Sequence, residues 1–187
     1  MSYRIVLAED EPLARRDLAE LLAEMGHQVV AQARDGRAAL ALVEEEDPDL
    51  VILDVMMPQL DGIETARRIA RERPVVIITA LTDPTTVSRA QEAGVMAYLG
   101  KPFREQDIGP ALQLAVSHFL THAALSERVK RLTEQLEARK LVDRARALLI
   151  QHEGLPESEA YRRLQQLSME RNLPMVRIAE AVVAAFS

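Results

Sequence analysis

The sequence predicts an α/β protein: a doubly wound, five-stranded parallel sheet followed by a wholly helical tail. Three observations lead there. Over the first 110 residues, short apolar runs alternate with amphipathic stretches. Several of those runs are continuous rather than alternating, which marks parallel strands covered on both faces. Beyond about residue 105 no strand-like run follows.

The predicted strands lie at Arg4-Ile5-Val6-Leu7-Ala8, Val29-Val30-Ala31, Leu50-Val51-Ile52-Leu53, Val75-Val76-Ile77-Ile78 and Val95-Met96-Ala97-Tyr98-Leu99. Amphipathic segments separate them. In 12–25, for example, Leu13, Leu18, Leu21, Leu22 and Met25 fall at helical spacing. Gly26, Gly36, Pro48, Gly62, Pro74, Pro84 and Gly94 stand at the joints, where turns need them. Five βα repeats of this kind close into a parallel sheet. Gly and Pro are then absent between Pro110 and Gly154, so 111–152 is expected as one long helix or two end to end. Gly154 stops that helix, Pro156 starts another over about 156–171, and Pro174 opens a last one to Phe186.

Composition narrows the functional classes. The chain has 187 residues, 48% of them apolar, enough for a folded core. It has no Cys, which excludes disulfides, thiolate metal sites and cysteine nucleophiles. No apolar stretch is long enough to span a membrane, and MSYRIVLAED lacks the features of a secretory leader, so a cytoplasmic protein is expected. The net charge of −6 conceals a split: residues 1–116 carry −8 and residues 117–187 carry +2. Within 128–146 seven basic residues face three acidic ones. Such asymmetry argues for two parts with different partners.

In doubly wound sheets the working site lies at the carboxyl ends of the strands. There the first predicted strand ends in Glu9-Asp10-Glu11, the third in Asp54, the fourth in Thr79, and the fifth is followed by Gly100-Lys101-Pro102. Clustered carboxylates repel unless a cation sits among them, and an all-oxygen set suits Mg²⁺. Lys101 and Thr79 add a positive charge and a donor suited to phosphoryl oxygens. A carboxylate in that company is a candidate phosphate acceptor. Taken singly, each acid reads equally well as a solvated helix cap; together the five positions favour a site.

IVLAEDEP (5–12), DVMMPQLDG (54–62), IITA (77–80) and AYLGKPF (97–103) resemble the signature blocks of a two-component response-regulator receiver domain, in order and spacing. The resemblance covers about residues 3–116 and implies a flavodoxin-like sheet. It implies that Asp54 is phosphorylated by a sensor histidine kinase, and that Glu9, Asp10, Asp54 and the backbone carbonyl of Met56 hold Mg²⁺. It further implies that Lys101 pairs with the phosphate, that Pro102 follows a cis bond, and that Thr79 and Tyr98 reorient together. Glu9 departs from the family pattern, where Asp is commoner. Tyr98 also reads as a packed strand residue, and Pro58 and Gly62 as turn formers.

The tail LVDRARALLIQHEGLPESEAYRRLQQLSMERNLPMVRIAEAVVAAF (141–186) resembles the ANTAR module of transcription antitermination regulators. The resemblance implies binding to RNA hairpins in nascent transcripts. It divides the chain into a receiver (1–118), a coiled-coil linker helix (119–140) and a three-helix ANTAR domain (141–187). Lys140, Arg144 and Arg146, with Arg162 and Arg163 on the next helix, form the expected phosphate-binding patch. Only Tyr161 and Phe186 offer aromatic rings there, so either arginine planes stack on bases or the readout is by shape. Leu125, Val129, Leu132 and Leu136 recur at spacings of four and three, flanked at matching positions by His122 and Arg139, and make a short dimer seam expected to close on phosphorylation. His118, His122 and His152 are too far apart for a compact metal site. All four histidines read as structural or solvent-facing. A DNA-binding or a protein-interaction tail is the alternative, and an enzyme acting on anything but itself is disfavoured.

Overall fold

The computed structural model describes residues 2–80 and 84–186, which divide into two compact units, Met1–Ala123 and Ala124–Ser187. Leu81, Thr82 and Asp83 lie outside the described residues.

The first unit alternates β1 (Arg4–Ala8), α1 (Pro12–Glu24), β2 (Gln28–Ala33), α2 (Gly36–Glu46), β3 (Leu50–Asp54), α3 (Gly62–Ile69), β4 (Val75–Thr79), α4 (Pro84–Glu92) and β5 (Ala97–Gly100). All pairings are parallel and the strand order is β2-β1-β3-β4-β5. The five-stranded doubly wound sheet expected from the sequence is therefore the one observed. Alternate residues of each strand serve opposite faces. Val6, Ala8, Val51, Leu53, Val75 and Ile77 pack under α2, α3 and α4 through Ala39, Ile63, Ala66, Ile69 and Ala90. Ile5, Leu7, Leu50, Ile52, Val76 and Ile78 pack under α1 and the start of α5 (Glu105–Glu153) through Leu18, Leu22, Ile108, Leu112 and Ala115. The central strands β3 and β4 are buried at every position, which is why their sequences are unbroken apolar runs.

Some boundaries differ from the sequence reading. The fifth strand begins at Ala97: the turn at Ala93–Gly94, with Gly94 at φ +84°, is followed by Val95, whose N–H donates to the Ala90 carbonyl at 3.0 Å and so closes the end of α4, and the ladder to β4 starts at Ala97. Leu13, counted with the apolar face of α1, is exposed: at about 100° per residue it points roughly 140–180° away from Leu18 and Leu22, which face the sheet. The long helix is single and starts earlier than expected, at Glu105, with Pro110 inside it. A proline so near the start removes the donor for the Gln106 carbonyl, and exposed Gln106 leaves that carbonyl near water.

In the second unit the end of α5 packs with α6 (Glu157–Arg171) and α7 (Met175–Phe186). Ala145, Leu149, Ala160, Leu164, Ile178 and Ala179 form its core. Gly154 ends α5 at φ +68°, Pro156 caps α6 without a side-chain hydrogen bond, and Asn172 ends α6 in the left-handed region at φ 50°. Among the described residues no helix is long and apolar enough to cross a membrane.

The loop from β3 to α3 is held closely against the sheet. Gly62 donates its N–H to the Val55 carbonyl at 3.0 Å, and a Cβ at Gly62 would lie 2.0 Å from the Asp54 carbonyl oxygen. Asp61 caps α3 by accepting from the Glu64 N–H at 2.7 Å. Since no flexible side chain can yield there, Gly62→Ala is expected to destabilise the first unit by about 1–3 kcal/mol, the usual cost of overpacking. Thermal denaturation followed by circular dichroism checks this, and an unchanged Tm would contradict it.

Candidate phosphoacceptor site and basic helical unit

β1, β3, β4 and β5 end on one rim, and their last residues supply the candidate site. Asp54 closes β3 and Thr79 closes β4; both are buried, as is Glu9 just past β1, whereas Asp10 is exposed. The structure brings carboxylate oxygens of Glu9, Asp10 and Asp54 within 4.8 Å of one another. Lys101 follows β5, and its Nζ lies 2.6 Å from Glu9 Oε2 and 3.4 Å from Asp54 Oδ1. Its backbone N–H donates to the Thr79 carbonyl at 2.8 Å, which carries the ladder one residue beyond β5. The Lys101–Pro102 peptide is cis.

The electrostatics follow from burial. Asp54 is held above the ordinary aspartate range by burial first and by the charge of Glu9 second. The Lys101 ammonium and the Val55 N–H oppose that rise without cancelling it. For Lys101, burial is the largest single influence and lowers the pKa. The hydrogen bond to Glu9 and the charges of Asp54 and Glu9 together outweigh it, so the net shift is upward and the lysine stays charged. One ammonium among three acids leaves the rim two charges negative. That oxygen-only, anionic donor set fits a hard divalent cation such as Mg²⁺.

The remaining site residues fall into distinct places. The Met56 side chain is exposed, two residues beyond Asp54. Tyr98 is half-buried beside the core, and its hydroxyl donates to the Val87 carbonyl of α4 at 3.3 Å. Burial raises its pKa. One contact had no motif to announce it: Arg15 Nη1 donates to the Glu9 carbonyl at 2.7 Å. A lone arginine one turn into α1 has no spacing signature, so only the fold reveals that it reaches back.

The basic residues of the second unit separate into paired and open ones. Arg146 lies 3.3 Å from Asp143 Oδ1 and 3.4 Å from Glu157 Oε1, joining α5 to the first turn of α6. Lys140 pairs with Glu137 on an exposed face at 2.8 Å. Arg144, Arg162 and Arg163 are exposed, with no ion pair within 4.0 Å among the described residues. Lys140 and Arg144 share a face of α5, while Arg162 and Arg163 point about 100° apart on α6. Phe186 stacks on His152 with ring centroids 4.7 Å apart, which leaves Tyr161 as the exposed aromatic ring of this unit.

Leu125, Val129, Leu132 and Leu136 are 57%, 55%, 57% and 52% exposed on α5. All four face solvent within the described chain.

A parallel sheet with three acids and a lysine at its carboxyl rim defines a receiver-type signalling domain. The chain belongs to the response regulators: residues 5–113 match the family model of the response regulator receiver domain, and residues 130–183 match that of the ANTAR domain. It is 48% identical over 182 residues to the transcriptional regulatory protein PdtaR of Mycobacterium tuberculosis, covering 96% of this chain and 89% of that protein. An uncharacterized response regulatory protein of Vibrio cholerae is 36% identical over 140 residues, covering 73% of this chain and 53% of the relative. Among solved structures, the signal receiver domain of a modulated diguanylate cyclase from Desulfovibrio desulfuricans superposes with a TM-score of 0.60 at 27% identity, covering 65% of this chain and 99% of that one. The receiver domain of NarL from M. tuberculosis gives 0.54 at 30% identity, covering 66% and 97%.

Because burial and Glu9 disfavour the ionised form of Asp54, the folded state gives up stability as pH rises from the ordinary aspartate range through the raised native value. Asp54→Asn is therefore expected to raise Tm at neutral pH in the presence of a chelator. The gain should shrink as pH falls below the ordinary aspartate range. A Tm difference that does not vary with pH would contradict this origin.

Proposed function

We propose that this chain is a phosphorylation-controlled regulator that binds RNA hairpins and acts by transcription antitermination in the cytoplasm. The proposed division is a receiver over 1–118, a coil over 119–140 and an RNA-binding ANTAR domain over 141–187. The observation that carries the signalling half is the meeting of Glu9, Asp10, Asp54 and Lys101 at one rim.

In this reading a sensor histidine kinase presents a phosphohistidine and an Asp54 carboxylate oxygen attacks its phosphorus. The phosphorus–nitrogen bond breaks, the imidazole leaves with the electron pair, and an acyl phosphate forms on Asp54. Glu9, Asp10, Asp54 and the Met56 carbonyl would hold Mg²⁺, which supplies charge neutralisation for the phosphoryl oxygens. Lys101, released in part from Glu9, pairs with a phosphoryl oxygen. The Thr79 hydroxyl takes another, and Tyr98 exchanges its bond to Val87 for a more buried position. The chain modifies only itself, so it turns over no separate substrate.

Output follows from the exposed seam. Leu125, Val129, Leu132 and Leu136 leave apolar surface that a second copy would cover, and phosphorylation favours that pairing. Two tails brought together would grip paired hairpins, with Lys140, Arg144, Arg162 and Arg163 on phosphates and Tyr161 under a loop base. Arg146 has a different part in this scheme: its bonds to Asp143 and Glu157 make it a strut.

Two measurements test these halves. Asp54→Ala is expected to take no phosphate from acetyl phosphate in Mg²⁺, as read by intact-mass spectrometry; incorporation equal to the parent would refute the assignment. Arg144→Ala and Arg162→Ala should each weaken hairpin binding and reduce the salt slope by about 1. Arg146→Ala should instead lower the melting temperature of the second unit with little change in slope. Preference for duplex DNA over the hairpin, across the same salt series, would favour the DNA-binding alternative.

A further inference from the structure

His118 and His122 stand one turn apart on α5, and both are exposed. Side chains four apart on a helix lie about 5–6 Å from each other at Cβ and share a face. Two imidazoles so placed can reach one ion at the ~2.0–2.1 Å of a zinc–nitrogen bond. Among the described residues neither ring makes a hydrogen bond, an ion pair or a ring stack. The other two histidines are engaged: His27 Nδ1 accepts from the Tyr3 N–H at 3.2 Å, and His152 stacks on Phe186. Taken with His152, the trio is too dispersed for a metal, but the first two alone have chelating spacing.

A second observation is the register. Positions 118, 122, 125, 129, 132 and 136 follow alternating steps of four and three, so both histidines occupy seam positions. The same stripe runs back to Ala111 and Ala115, which are buried against the sheet, and His118 is the first of its positions to reach solvent. The four apolar layers span barely two heptads, short for a stable coiled coil. A bound ion beside them would add what the apolar surface lacks.

We propose that His118 and His122 are a transition-metal site completed by a second copy of the chain: two parallel copies contribute four imidazoles, the tetrahedral set that suits Zn²⁺. This rests on the dimer seam proposed above. Imidazole donors discriminate against Mg²⁺, which prefers oxygen, so the site is chemically distinct from the acidic rim of Glu9, Asp10 and Asp54. It would make association respond to metal as well as to phosphate.

The test uses the full chain in excess Mg²⁺, which occupies the acidic rim, and compares it with the double variant His118→Ala/His122→Ala. Sedimentation with and without Zn²⁺ should show the apparent dimer dissociation constant falling by about tenfold or more in the parent, at one ion per two chains. Co²⁺ in place of Zn²⁺ should give the strong visible absorption of a tetrahedral site. Both responses should vanish in the variant, which should still take phosphate from acetyl phosphate as proof of folding. Zinc without effect on sedimentation, an equal response in the variant, or one ion per chain without association each overturns the proposal. Dimerisation by beryllofluoride without any response to zinc would overturn the metal site and leave the seam standing. Failure of both ligands would remove both.

Discussion

The constraint on which the first unit turns is the burial of Asp54 beside a second buried acid. Two carboxylates at the end of a sheet, partly withdrawn from water, cannot both ionise without cost unless a cation lies within reach. Lys101 is that cation within the chain, and it is shared: nearer Glu9 at 2.6 Å than Asp54 at 3.4 Å. Much of the local architecture serves this arrangement. β3 and β4 are apolar up to their last residues, Asp54 and Thr79, so that those ends are placed rigidly, and Gly62 lets the next loop pass directly over the Asp54 carbonyl. Arg15 fixes the carbonyl of Glu9 from α1. The rim remains net negative, and its unequal sharing of one ammonium leaves room for a divalent ion and an incoming phosphoryl group to redistribute the pairs.

Glu9 sharpens this point. Its side chain is one methylene longer than aspartate, and it reaches Lys101 while its Oε1 stands 3.4 Å from the Glu11 N–H. The extra length thus has a visible use as the partner of the lysine. Under the proposed phosphorylation, a turn of Lys101 to phosphate would free Glu9 to join Asp10 at a metal, and the lysine and the longer acid would be a paired resting state that opens with it.

Much of the sheet could be read from the sequence because its strands are buried on both faces and so appear as uninterrupted Val, Ile and Leu. Strand-end residues are equally legible, since the doubly wound topology places strand ends on one rim. What could not be read depends on long-range geometry. Ala97 begins β5 because Val95 closes the end of α4 on the Ala90 carbonyl and the ladder to β4 starts only beyond Met96, although both residues look as strand-like as their neighbours. Leu13 looks apolar and periodic yet faces water. Arg146 carries the same charge as Arg144, and only the position of Glu157 at the start of α6 separates a strut from an open cation. Arg15 reaches Glu9 through the fold alone.

The charge division is the link between these parts. A chain of net −6 repels nucleic acid as a whole, but the acids are concentrated in the first unit, where three of them meet at the Asp54 rim. In the second unit, by contrast, several of the acids are already engaged in pairs: Asp143 and Glu157 with Arg146, Glu137 with Lys140, and Glu180 with Arg177. The more exposed pairs within a single helix, Lys140 with Glu137 and Arg177 with Glu180, contribute little to stability, unlike the less exposed Arg146 that joins two helices. Together the pairs decide which cations remain unneutralised, and among the described residues those include Arg144 on α5 and Arg162 and Arg163 on α6. The scarcity of exposed aromatic rings, with Phe186 taken up by His152, leaves Tyr161 and the arginine planes as the groups able to stack on a base. In the proposed function, a surface so poor in aromatics would draw selectivity from the spacing of two such surfaces, and pairing of the chain would then be a condition of recognition rather than an accompaniment to it.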